Sequence, residues 1–283
     1  MTDLVVLSHF QARPLLTARA AGASRAAVSL DLGLTTAEVE LTGEGIVLPV
    51  AGGVLAWAEV ERIANAENAC FTVEHGVARA IQVFSETTNW LRSLMPTAGA
   101  PTMLVSGIAM HRIKHTEPHR DTLAKIAALA PIIGRVLDTA TGLGYTAIEA
   151  ARKAEAVVTI ELDPAALAVA RRNPWSRALF DNPRIQQIVG DASEVVAGFA
   201  DQSFDRILHD PPVFGLAGDL YSGAFYAQLA RILRRKGRLF HYIGDPESAT
   251  GRRTTAGVIR RLGEAGFARV VRHPEAFGVT AFK

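Results

Sequence analysis

Apolar positions follow two different rhythms along this chain, and the change comes between residues 100 and 136. From Val136 onward, short runs rich in β-branched and aromatic residues alternate with stretches whose apolar positions recur at helical spacing. The strand-like runs are Val136–Thr139, Val157–Leu162, Ile185–Val189, Phe204–His209, Arg238–Ile243, Arg269–Val271 and Gly278–Phe282. Helical patterns over Tyr145–Lys153, Pro164–Arg172, Ala192–Phe199, Tyr221–Leu233 and Thr254–Ala265 fill most of the gaps. Such alternation returns each strand parallel to the last through a right-handed crossover. The pattern therefore predicts an α/β fold with a doubly wound, mainly parallel sheet of seven strands. Only Pro274–Phe277 separates the last two strands. That is too short for a parallel crossover, so the final strand is expected to run antiparallel.

The first hundred residues lack this rhythm. Val28–Leu32 and Ala37–Leu41 flank a Gly-Leu-Thr-Thr link and read as a hairpin, with Ile46–Pro49 as a third strand. Trp57, Val60, Ile63 and Ala64 have helical spacing and predict a helix over Trp57–Ala66. Phe71–Val73 and Val77–Phe84 flank His75-Gly76 as a second hairpin. A Pro/Gly/Ala/Thr-rich stretch, Pro96–Thr102, breaks the pattern, and a helix over Asp121–Ala130 leads into the sheet. Residues 1–118 are thus expected to form a smaller α+β domain that selects or covers a substrate. Residues 119–283 form the sheet domain.

Composition narrows the setting. Hydrophobic residues make up 49% and charged residues 20%, ordinary for a globular chain with a real core. No apolar run approaches a bilayer span, so no membrane partner is expected. Leu4–Leu7, preceded by Asp3, lacks the basic start of a signal peptide. The single Cys70 cannot form an internal disulfide, which predicts a cytoplasmic protein; beside Phe71 it reads as a small buried hydrophobe. Residues 1–118 hold 8 Lys and Arg against 11 Asp and Glu, and residues 119–283 hold 22 against 17. A dedicated nucleic-acid module would usually be the basic part; here the accessory part is acidic.

Candidate chemistry gathers at the strand ends. Asp138-Thr-Ala-Thr-Gly-Leu-Gly144 closes the first strand of the sheet and opens a helix. Its glycines permit a tight turn and close backbone approach to a ligand. Gly142-Leu-Gly-Tyr-Thr-Ala147 also satisfies the dinucleotide fingerprint. Glu161 ends the second strand, where a carboxylate can accept from both hydroxyls of a ribose. Gly190-Asp191-Ala192 closes the third, where an acceptor could meet an adenine amine, and His209-Asp210-Pro211-Pro212 closes the fourth. Any one of these carboxylates is as well explained by helix capping. Four in register, at the edge where open α/β sheets bind ligands, are not.

This half resembles a class I S-adenosylmethionine-dependent methyltransferase, whose first motif runs acidic-x-Gly-x-Gly-x-Gly. Asp138, Gly142 and Gly144 match, and Ala140 stands in place of the first glycine. The resemblance implies a Rossmann-like fold that binds S-adenosyl-L-methionine. Asp138, Ala140, Thr141, Gly142 and Gly144 would line the methionine moiety, Glu161 with Leu162 the ribose, and Asp191 with Ala192 the adenine. The whole chain further resembles a set of archaeal-type methyltransferases through Met110–Lys114, Leu137–Ala150, Asn173–Arg177, His209–Pro212 with Phe214, Leu220–Ser222 and Phe240–Gly244. That set implies the cofactor and leaves the acceptor open.

Asp210-Pro-Pro-Val-Phe214 is similar to the Asn/Asp-Pro-Pro-aromatic motif of methyltransferases that modify amines on bases or protein side chains. The resemblance implies that Asp210 and a neighbouring carbonyl accept hydrogen bonds from the nucleophilic nitrogen, with an aromatic ring against its plane. Val213 occupies the aromatic place and Phe214 comes one later, as in some ribosomal RNA methyltransferases. Asp210, beside the cofactor, would orient the acceptor and take its proton, with His209 or Tyr221 assisting as base. A rigid turn capped by Asp210, and a core position for His209, are the competing structural roles.

The expected function is methyl transfer to a nitrogen of an acceptor that is RNA, protein or a small molecule. The alternative on the same fold is aminopropyl transfer to a polyamine, whose enzymes tend to carry paired acidic residues where two prolines follow Asp210 here. A non-catalytic binding module is the third reading. His111, His115 and His119 recur every four residues, but Pro118 interrupts the helix they would need, and no metal is expected. Arg252, Arg253, Arg260 and Arg261 read as a solvated helix face, and Trp175 as a packing residue.

Overall fold

The seven strands of the second half lie in one sheet in the computed structural model, which describes residues 4–49, 53–212 and 218–283. Across the sheet the order is Ile185–Val189, Ala156–Glu161, Arg135–Asp138, Phe204–His209, Leu233–Tyr242, Gly278–Phe282, Arg269–His273. The first five run parallel, and Gly278–Phe282 is antiparallel to both of its neighbours, as the short Pro274–Phe277 link requires. From Arg135–Asp138 the chain winds outward through two strands, then returns to lay Phe204–His209 against the other side of the starting strand. Strand order reverses there. A crevice opens at such a switch point, beyond the carboxyl ends of the strands, and Asp138 and Asp210 stand at its two sides.

Strands sandwiched between helices are buried on both faces and read as continuous apolar runs. Leu137, Val158, Ile160, Ile207 and Leu239 supply such runs, packed with Tyr226, Leu229, Val258 and Leu262 from the covering helices. Two boundaries differ from expectation. The fifth strand starts at Leu233, before the predicted Arg238, because Arg234–Lys236 extend it with exposed side chains that carry no apolar signal. The helix predicted from Thr254 starts at Ala249, capped by Ser248, whose Oγ accepts the Gly251 N–H at 2.9 Å.

The chain divides into two compact units, residues 1–119 with 165–178, and residues 120–164 with 179–283. Residues 119–283, expected as one unbroken domain, give residues 165–178 to the first unit. Among the described residues the first unit holds three small antiparallel sheets. Arg25–Val28, Ala37–Leu41, Gly45–Val47 and Val54–Ala56 form one; the first hairpin is there, but its first strand lies before Val28 and not over the expected Val28–Leu32. Phe71–Glu74 and Val77–Ala80 form the second hairpin, with Val5–Leu7 on its edge. The run predicted as one strand to Phe84 breaks at Ile81, and Gln82–Ser85 joins a different sheet with Trp90–Met95 and Thr102–Val105. The helix Trp57–Asn65 matches its apolar spacing. The helix His9–Ala20, unread in the sequence, has Pro14 inside it; its start is a capping box in which Ser8 N–H donates to Gln11 Oε1 at 3.0 Å. Cys70 is buried, and that burial pushes its thiol well above the ordinary range, as suits a core residue. Trp175 Nε1–H donates to the Leu32 carbonyl at 3.1 Å, a packing role within this unit. Among the described residues no helix is long and apolar enough to cross a membrane.

Candidate active site

The loop after the first strand is stitched to both neighbouring strands. Thr139 N–H donates to the Leu208 carbonyl at 3.0 Å on one side, and Thr141 N–H to the Ile160 carbonyl at 2.8 Å on the other. Gly142 and Gly144 turn it, with φ of 53° and 78°, where a side chain is strained. A Cβ at Gly144 would fall 2.6 Å from Leu179 Cδ2, whereas at Gly142 it would meet nothing within 4 Å. One glycine is required for packing as well as conformation. The other leaves an open patch of backbone beside Ala140 and Thr141.

Asp138 organises this loop from beneath. It has no exposed surface, and Oδ2 accepts from Thr146 Oγ1 at 2.9 Å and from Thr159 Oγ1 at 3.2 Å. Thr141 Oγ1 lies 2.7 Å from Thr159 Oγ1, so its hydroxyl donates to the one that donates to Asp138. Burial pushes the Asp138 carboxyl up to about 7; the Thr146 hydroxyl pulls it down and the Asp210 charge adds to the rise. The resemblance sets Asp138 at the methionine moiety, but the fold gives it an enclosed, loop-shaping position.

Glu161 sits at the next strand end. Its Oε2 accepts the Gly142 N–H at 2.8 Å and its Oε1 the Asp163 N–H at 3.0 Å. The side chain is partly exposed. Asp191 is exposed and caps the helix Ala192–Ala197, with Oδ1 accepting from Ser193 N–H at 2.7 Å and Ser193 Oγ at 2.6 Å. Ala192 is buried beneath it. Two apolar side chains stand exposed here, Leu162 at 49% and Val189 at 56%, and Val189 is the register partner of Glu161.

At the fourth strand end, Lys125 Nζ lies 2.6 Å from Asp210 Oδ2 and 2.9 Å from Asp121 Oδ2. The Tyr242 ring centroid is 4.4 Å from the same nitrogen. Burial raises the Asp210 carboxyl above its ordinary value, with the Lys125 ammonium opposing. Two expected bases take other roles. His209 is fully buried; its Nε2–H donates to the Leu220 carbonyl at 2.9 Å, which leaves Nδ1 to accept from Thr139 Oγ1 at 2.7 Å. With both nitrogens engaged and burial depressing its pKa to about 3, it is a neutral structural strut and not a base. Tyr221 is also buried, its hydroxyl donating to the Pro212 carbonyl at 3.1 Å and raised by burial beyond use as a base. It braces the Asp-Pro-Pro turn. Val213 and Phe214 lie outside the described residues.

Residues 136–237 match the family model described as a methyltransferase domain. Over 235 residues the chain is 43% identical to "Uncharacterized protein MJ1233" of Methanocaldococcus jannaschii, a match covering 82% of this chain and 79% of that one. The chain belongs to one family with that archaeal protein, and its residues 136–237 match a methyltransferase domain. The chain is also 30% identical over 133 residues to a polyamine aminopropyltransferase of Aeropyrum pernix, covering 45% of this chain and 40% of that relative. Spermidine synthase from Thermotoga maritima shares the fold, with a TM-score of 0.56 and 19% identity over 74% of this chain and 75% of that one.

The donor set fits S-adenosylmethionine. Glu161 offers a carboxylate for ribose hydroxyls, Leu162 and Val189 offer apolar surface for a flat base, and Gly142 offers open backbone. Asp191 has one oxygen committed to Ser193 and makes no hydrogen bond through the other among the described residues. No group of three or more His, Cys, Asp or Glu suited to a metal occurs among the described residues, and His111 Nδ1 instead lies 2.9 Å from Thr102 Oγ1. Asp121, Lys125 and Tyr242 are the site residues that sequence reading missed. No sequence signal marks them: in their helix Asp121, Thr122 and Lys125 are buried while Leu123 is exposed, against the apolar pattern.

Proposed function

We propose that this protein transfers the methyl group of S-adenosylmethionine to a nitrogen of its acceptor, and that Asp210 holds that nitrogen. The observation that carries the reading is the state of the Asp210 carboxylate. One oxygen is clamped by Lys125 at 2.6 Å, while the other makes no hydrogen bond among the described residues, and the side chain is 20% exposed. When bound, the cofactor supplies an electrophilic methyl carbon whose old bonding pair stays with sulfur. Asp210 accepts a hydrogen bond from the acceptor N–H, fixes the line of approach, and receives the proton the nitrogen loses. Holding partners in a near-attack geometry is worth up to roughly 7–11 kcal/mol of a barrier. Residues 1–118 select or cover the acceptor in this reading, and the lone Cys70 supports a cytoplasmic setting.

The relationship to a polyamine aminopropyltransferase favours a second reading, in which the same carboxylate presents an amine to a propyl carbon. Both are tested by incubating the protein with S-adenosylmethionine or its decarboxylated form and RNA, protein and polyamine pools, and following label by mass spectrometry. Once the acceptor is found, Asp210→Ala should lower single-turnover rate by about 10²–10⁴-fold with cofactor affinity little changed. Normal turnover by that variant would reduce Asp210 to a turn residue.

A further inference from the structure

Two of the three charged groups at the fourth strand end come from a helix, Pro118–Leu129, that no cofactor motif includes. Lys125 is 3% exposed and Asp121 is fully buried, both on the face where an amphipathic helix ordinarily packs leucines. Buried charges are expensive and persist only when paired and hydrogen-bonded. A single aspartate would neutralise Lys125. There are two, at 2.6 and 2.9 Å, and only Asp210 is partly exposed.

We propose that Lys125 and Asp121 are positioning residues for the acceptor carboxylate. Lys125 fixes Asp210 by one oxygen and leaves the other to the acceptor nitrogen, while Asp121 is the standing counter-ion that keeps Lys125 buried and charged. The inference rests on the reading of Asp210 as the acceptor-binding group. When Asp210 takes a proton from the acceptor nitrogen it ceases to balance Lys125. Asp121 then balances it alone, so the clamp survives each turnover and Asp210 can pass its proton to water. Lys125 neither gives nor receives a proton. The other titratable groups acting on this pair are Asp138 across the switch point, Tyr221, whose hydroxyl burial keeps un-ionised, and Tyr242. His209, next along the chain, is neutral.

The test is a carboxyl titration by NMR on the full-length protein with ¹³Cγ-labelled aspartate, the Asp210 resonance being identified by its loss in Asp210→Asn. In Lys125→Met the Asp210 midpoint should rise by about 1–3 pH units, the usual effect of losing an opposite charge at contact. In Asp121→Asn it should fall, because a like charge is removed. Opposite displacements are a signature that a merely structural helix contact would not produce. An unchanged midpoint in both variants overturns the proposal. If Lys125→Met does not fold, Asp121→Asn decides alone: a fall upholds the proposal, and no change or a rise overturns it. Calorimetry of S-adenosylhomocysteine binding to the wild-type protein reads the transferase assignment separately, since absent binding would remove that assignment without moving the titration.

Discussion

Replacing Asp138 with Asn should make the protein more stable at high pH than at low, relative to wild type. Asp138 has an ordinary value near 3.8 when unfolded and about 7 when folded. Below about pH 4 it is protonated in both states. Between 4 and 7 the unfolded chain has lost the proton that the folded chain keeps, so unfolding releases it and stability falls as pH rises. Each pH unit in that window is worth about 1.36 kcal/mol, and the loss amounts to something on the order of 4 kcal/mol by pH 8. Asn carries no such proton. Its amide still accepts from one threonine, and the other hydroxyl can rotate to accept from its NH₂. Urea unfolding of both proteins at pH 5 and pH 8 is the measurement. The variant should be near or slightly below wild type at pH 5 and clearly above it at pH 8. A difference between the two proteins that does not change with pH would refute the assignment of a neutral carboxyl at the root of the loop.

Glu161→Ala removes the acceptor of two backbone N–H groups and of the expected ribose hydroxyls; S-adenosylhomocysteine affinity should drop by about 1.5–3 kcal/mol, roughly 10–150-fold. Unchanged calorimetric affinity would take Glu161 out of the site. His209→Leu strands the Thr139 hydroxyl and the Leu220 carbonyl, and should destabilise by about 1–3 kcal/mol for each. His209 stays neutral when folded, so its contribution is lost as pH falls below 6.5 toward 3, and the variant should lose less than wild type on acidification. Gly144→Ala meets both left-handed strain and Leu179, and should destabilise by at least about 1–3 kcal/mol. Gly142→Ala meets the strain alone, so denaturant midpoints should rank it between wild type and Gly144→Ala.

The sheet was legible because its central parallel strands are buried on both faces, so Val136-Leu137 and Val157-Val158, with Ile160 just past Thr159, stand as near-continuous apolar runs. The loop glycines and the carboxylates at strand ends were legible for a related reason: a βαβ fold puts every such end on one edge. Asp121 and Lys125 were not. A carboxylate and an amine four residues apart on a helix usually form a solvated pair, and only the approach of Asp210, 85 residues away, shows this one to be buried. Nor does residue type reveal engagement: His209 and Tyr221 are common bases, yet their polar atoms are spent on Thr139, Leu220 and Pro212. In the first unit the strands are short and exchange partners at Ile81, a change of sheet that leaves no periodic trace.

The division of the chain has a consequence for biosynthesis. The chain passes between the two units three times, at 119–120, 164–165 and 178–179. A growing polypeptide folds from its N-terminal end as residues emerge. The apolar core of the first unit lies within residues 5–78 and can close early, whereas its segment 165–178 can join only after Ala178 has left the ribosome. By then the strands ending at Asp138 and Glu161 have also been made, before the partner strand Phe204–His209 exists. Only the sheet core is then still incomplete, because it draws on residues from Phe204 to Ala281. A truncation between residues 119 and 178 would strip the first unit of that segment and leave the sheet core open, so neither unit can be had whole by a single cut of the gene.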